Sequence, residues 1–140
     1  MVQIGFSAAF CMVNHHGILF SLCSVGVGGS ELSVLTQFLS IRSQYVVVDG
    51  CRSKLVGVPQ GSVLGLQLFL LYSAELFSIV ENKFYGYAGD STLVAVVPSP
   101  AERVAVTESM NHDLNRVGVW CNLWGMKLNA SKTKTMIVSR

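Results

Sequence analysis

A chain of 140 residues has the length of one domain and can bury one modest core. Its composition, 51% hydrophobic and 13% charged, is apolar beside an ordinary soluble domain with about a quarter charged residues, and it predicts exposed apolar surface. A formal net charge of +2 is too small to mark a nucleic-acid binder by itself, and the four cysteines, Cys11, Cys23, Cys51 and Cys121, lack the Cys-x-x-Cys spacing of a zinc site and read as free thiols.

In chain order, Val2 to Cys11 reads as a buried strand that runs into a turn or a helix start near Asn14. His16 to Val25 and Ser30 to Ile41 read as a helical hairpin across Gly26-Val27-Gly28-Gly29, with Ser30 as N-cap. Gln44 to Asp49 and Arg52 to Val58 suit two strands joined at Asp49-Gly50. Ser62 to about Val80 is apolar on most sides, as expected of a deeply packed central helix. Lys83 to Ala88 and Ser91 to Val97 form a hairpin across Gly89-Asp90, because those residues tolerate positive φ. Ser99-Pro100 opens a long helix to about Trp124, with Val104, Val106, Met110, Leu114, Val117, Cys121 and Trp124 as its buried stripe. Met136-Ile137-Val138 suits a final edge strand. The sum is an α+β fold with helices on one face of an antiparallel sheet.

No basic leader precedes the apolar N-terminal stretch, and the run Val63 to Tyr72 is far shorter than the roughly 20 residues that span a bilayer. The expectation is an intracellular chain, cytoplasmic or nuclear, with no signal peptide and no membrane partner.

Four segments carry chemistry: Phe6-Ser7-Ala8-Ala9-Phe10, then Val58-Pro59-Gln60-Gly61-Ser62-Val63-Leu64-Gly65, then Tyr87-Ala88-Gly89-Asp90, then Trp120 to Lys134. In this order they resemble the motifs of reverse transcriptases, the RNA-directed DNA polymerases, and in particular those of long interspersed (non-LTR) retrotransposons of the vertebrate type. The resemblance covers nearly the whole chain and implies a polymerase palm, with residues 1–140 forming a single partial domain whose fingers and thumb are largely missing. It further implies an RNA or DNA template-primer as partner and Mg2+ as cofactor. Such nucleotidyl transfer needs clustered carboxylates, because two ions about 3.5 to 4 Å apart clamp the attacking and leaving oxygens.

Residue by residue, the resemblance makes Phe10 the aromatic beneath the incoming sugar and Gln60 and Gly61 the contacts to template and nucleotide. Tyr87 and Asp90 match the Tyr-Ala-Asp-Asp hairpin, with Asp90 as a metal ligand, and Lys132 matches a fourth-motif lysine that would assist the pyrophosphate. Each also has a plainer reading: a core aromatic, a proline-initiated turn, a simple hairpin turn and a solvated basic edge.

The departures decide the expected function. Gly5 and Gly89 stand where the family carries metal-binding aspartates, and Cys11 where this type has another acid. Losing several kcal/mol of transition-state stabilisation costs three or more orders of magnitude, at about 1.4 kcal/mol per tenfold. The expectation is a degenerate domain, a pseudoenzyme. Gln67 is expected to place an amide in a buried helix, at about 1 to 3 kcal/mol if unpaired.

The main alternative is a non-enzymatic remnant that binds nucleic acid weakly through Arg42, Arg52, Lys54, Lys127, Lys132, Lys134 and Arg140, or a protein partner through exposed apolar surface. A metal site at Cys11, His15 and His16 has too few local ligands. The loop Gly26 to Ser30 lacks the lysine of a phosphate loop and reads as a helix-linking turn.

Overall fold

The computed structural model describes residues 1–41, 47–48, 51–52, 57–58, 62–87 and 89–138. The chain divides into two compact units, Met1–Ser7 with Ser73–Arg140, and Ala8–Tyr72.

The first unit is built on an antiparallel sheet. Its strands are β1 (Val2–Gly5), β4 (Lys83–Tyr87), β5 (Asp90–Val94) and β6 (Lys134–Thr135), in the order β4-β5-β1-β6. Strand alternation sorts the sheet into two faces. Val2 pairs with Leu93 and Ile4 with Ser91, and all four are buried. Phe84 and Gly86 of β4 share that face, where Phe77 of α5 (Leu76–Ile79) meets Phe84 edge-on at 5.3 Å. The opposite face carries Gln3, Gly5, Asp90, Thr92, Tyr85 and Tyr87. This is the mixed α+β, palm-like arrangement expected from the sequence.

The long helix α6 (Arg103–Trp124) follows a 3-10 turn, Pro100–Glu102, and stops at Gly125. Its buried residues are Asp113, Val117, Trp120 and Cys121, whereas Val104 of the expected stripe is 69% exposed. The correction has a polar cause: the Asp113 carboxylate is wholly buried because it organises the turn before β4. It accepts from Glu81 N at 2.9 Å, Asn82 N at 2.8 Å and Asn82 Nδ2 at 2.8 Å, and Arg116 reaches it at 3.3 Å. Burial alone would raise the Asp113 carboxyl, but the hydrogen bonds from Glu81 and Asn82 and the Arg116 charge outweigh it and hold it below the usual 3.8. Nearby, Trp120 Nε1 donates to Glu75 Oε2 at 2.9 Å.

The second unit contains α1 (Ala9–Met12), α2 (His15–Ser24), α3 (Gly29–Ile41), the pair β2 (Val47–Val48) and β3 (Cys51–Arg52), and α4 (Val63–Ser73). Its core includes Val13, Ile18, Leu22, Leu39, Val58, Leu68, Phe69 and Tyr72. Asn14 caps α2 by accepting from His16 N at 2.9 Å, and Ser62 caps α4 by accepting from Gly65 N at 3.0 Å.

Several boundaries differ from the sequence expectation. The first strand ends at Gly5, and Ala8, with φ 46°, turns the chain into α1. Ser30 lies inside α3 rather than capping it. The central helix breaks after Ser73 and resumes as α5 at Leu76. Gln67 is exposed, so it is no buried misfit. The last strand is Lys134–Thr135, and Met136, Ile137 and Val138 are exposed beyond it. Of the strand pair expected over 44–49 and 52–58, the short pairing of Val47–Val48 with Cys51–Arg52 is described, and most of the rest lies outside the described residues. Cys11, Cys23 and Cys121 are free thiols, and burial pushes the Cys121 thiol up to about 11.

Candidate functional site

The open face of the sheet gathers the expected metal-binding positions of the first unit into one row. Gly5 of β1 pairs with Asp90 of β5, and Asp90 pairs with Tyr87 of β4, so all three point the same way. Asp90 and Tyr87 are exposed, Tyr87 at 79%. Gly89 forms the hairpin tip with φ 100°, a conformation that glycine adopts without strain, and its carbonyl accepts from Phe6 N at 3.4 Å.

Lys132 joins this row from the other side of β1. Asn129 N donates to the Gly5 carbonyl at 2.7 Å, which ties the turn 129–132 to the end of the strand. Within the turn, Asn129 Oδ1 accepts from Ser131 N at 3.1 Å and Lys132 N at 3.3 Å. The Lys132 stem therefore crosses Gly5, which is buried although its side-chain direction faces the open side: a Cβ built on Gly5 would sit 2.5 Å from Lys132 Cβ and 3.3 Å from its Cδ.

The row thus holds one carboxylate, Asp90, and one lysine stem. Among the described residues no group of three His, Cys, Asp or Glu side chains is placed to hold a metal ion. Paired divalent ions need several oxygen ligands, and this donor set does not fit them.

Phe10 belongs to the second unit. It is half-buried and stacks on Phe69 at 4.6 Å between ring centroids. Its carbonyl accepts from Val58 N at 2.9 Å, which fixes the start of the segment containing Gln60 and Gly61. Those two residues lie outside the described part of the chain. Sequence reasoning missed what holds this joint. Gly57 has φ 105°, and a Cβ there would collide with the Phe10 carbonyl oxygen. His15 Nε2 lies 2.8 Å from the Gly57 carbonyl oxygen. The signal available was a glycine directly before the motif, and it goes unremarked when the motif alone is read. Elsewhere, His112 is exposed on α6, and the turn expected over Gly26 to Ser30 is shorter, since Gly29 and Ser30 already belong to α3.

Comparison with known proteins places this geometry. Across residues 1–140 the chain matches the family described as reverse transcriptase (RNA-dependent DNA polymerase), and it belongs to that family. It is 30% identical over 135 residues to the RNA-directed DNA polymerase from mobile element jockey of Drosophila funebris, covering 89% of this chain and 14% of that protein. It is 29% identical over 148 residues to the probable RNA-directed DNA polymerase from transposon BS of Drosophila melanogaster, covering 94% of this chain and 16% of that protein. Both relatives are Drosophila mobile-element polymerases, which supports the non-LTR type and not the vertebrate type in particular. Among the described residues, no helix is long and apolar enough to cross a membrane.

Proposed function

We propose that residues 1–140 act as one partial reverse-transcriptase domain, a palm whose ancestral reaction was RNA-directed DNA synthesis and which is itself inactive, a pseudoenzyme inside the cell. The observation that supports this reading most is the row Gly5, Asp90 and Tyr87, where one carboxylate stands in place of a cluster. In this reading Asp90 is the remaining acid of the Mg2+ site and Lys132 the remaining cation of the fourth motif. Phe10, Gln60, Gly61 and Tyr87 are the remains of the nucleotide and template contacts. A lone exposed carboxylate holds Mg2+ too weakly to position two ions, so no catalytic step is assigned to the metal.

Primer extension on an RNA template with Mg2+ tests the proposal. The expected result is no extension above background at protein concentrations where circular dichroism shows a folded chain. Extension abolished by Asp90→Asn would overturn it.

A second reading is favoured by what else the open face displays. Tyr85 and Tyr87 stand exposed on β4 with Lys83, and Lys132 and Lys134 lie toward the opposite edge of the same face, a surface suited to stacking bases and meeting phosphates without a metal. Weak binding of single-stranded RNA in EDTA, with a log-log salt slope of about −2 for three phosphate contacts, would support it. Association insensitive to salt would point instead to a protein partner at apolar surface such as Val119 and Leu123.

A further inference from the structure

We infer that positions 5 and 132 are coupled in this chain: with glycine at 5, the turn that carries Lys132 lies so close against β1 that a side chain restored at 5 costs stability unless residue 132 gives up its own. The inference deepens the reading of an inactive palm and rests on it for the identity of the lost acid. The contact itself does not depend on that reading. A Cβ on Gly5 would meet Lys132 Cβ at 2.5 Å, Cδ at 3.3 Å and Cγ at 3.5 Å. The first of these matters most, because Cβ moves only with its backbone, whereas the far end of a lysine swings aside.

That backbone is held from several directions. Lys132 N donates to Asn129 O at 3.1 Å, Thr133 N donates to the same oxygen at 3.0 Å, and Thr133 Oγ1 reaches it at 2.9 Å. Asn129 N is bound in turn to the Gly5 carbonyl, Leu128 bridges Phe6, and Lys134 pairs with Gln3. The turn cannot slide off Gly5 without breaking bonds to the strand beneath it.

With glycine at 5, the turn 129–132 has closed over the end of β1. Position 89 adds a second obstacle, since its φ of 100° lies where L-residues are strained. Restoring aspartate at 5 and 89 alone leaves the first in collision with Lys132 and the second in a strained turn.

The test is a set of thermal unfolding midpoints in which Gly5→Ala adds a Cβ without charge. In the unmodified chain Gly5→Ala is expected to lower the midpoint by about 4 °C or more. In a Lys132→Gly background the same change should lose at least half of that penalty, while in a Lys132→Ala background, which keeps the offending Cβ, the penalty should persist. A neutral Gly5→Ala, an equal penalty in all three backgrounds, or relief by Lys132→Ala would each overturn the coupling. Should Lys132→Gly not fold, a neutral Gly5→Ala or relief by Lys132→Ala still overturns the coupling. These results are independent of primer extension: activity in the unmodified chain would sink the inactive-palm reading and leave the coupling standing.

Discussion

The two ends of the β4–β5 hairpin differ in what their carboxylates do. At the root, Asp113 is buried and bound by two backbone N–H groups, the Asn82 amide and Arg116. At the tip, Asp90 is exposed and faces Gly5, a position without a side chain. The acid that fastens the root of the hairpin is bound on several sides, whereas the acid at the tip has no second carboxylate across from it at position 5. A buried carboxylate whose loss would strand backbone donors is required for folding. A catalytic carboxylate is required only for catalysis, and its removal leaves the hairpin hydrogen bonds untouched.

The sharpest way to break this comparison is to remove the root acid. Asp113→Ala should destabilise the chain by about 3–5 kcal/mol, read from urea unfolding, because it takes the acceptor from the part-buried Glu81 and Asn82 N–H groups and the partner from Arg116. A loss below about 1 kcal/mol would mean that water replaces the carboxylate and the root is no clamp.

Acid provides a second test. The folded Asp113 carboxyl lies below its unfolded value, so its contribution is complete above about pH 4 and is lost as pH falls through the lowered folded value. Melting curves taken between pH 5 and pH 2 should show a steep fall that Asp113→Asn flattens. An identical slope in both chains would assign acid sensitivity to other carboxylates.

A smaller effect is expected at the neighbouring clamp. Trp120→Phe removes the indole donor to Glu75 and keeps a ring in place, and it should cost about 1 kcal/mol in the same urea measurement. At the tip, Asp90→Asn should change stability by less than about 0.5 kcal/mol, since the side chain is exposed. If Asp90→Asn rivalled Asp113→Ala, the contrast between root and tip would fail.

Much of the fold was legible because its signals are local. Gly89-Asp90 between two apolar runs marked the hairpin, and Ser99-Pro100 with Gly125 bracketed α6 within a few residues. Gly5 and Gly89 fall at motif positions where the resemblance implies acids, and the sheet sets Gly5 against Asp90. Errors arose where burial depends on distant partners. The apolar stripe predicted for α6 includes Val104 and omits Asp113, because nothing in the helix sequence says that Glu81 and Asn82 arrive to bind a carboxylate. Gln67 was expected inside because α4 is apolar on most sides, yet such a helix still presents one side to solvent.

By itself, the sequence determined the family, the order of strands and helices, and the absence of aspartate at positions 5 and 89. These follow from residue identity and short-range spacing, which motifs and turns encode directly. Only the tertiary structure decided that Lys132 lies across Gly5, that Gly57 and His15 secure the backbone beside Phe10, and that Asp113 fastens the root of the hairpin. Each of these joins residues tens of positions apart in the chain, and contacts of that kind are set by packing and hydrogen bonding after the chain has closed on itself.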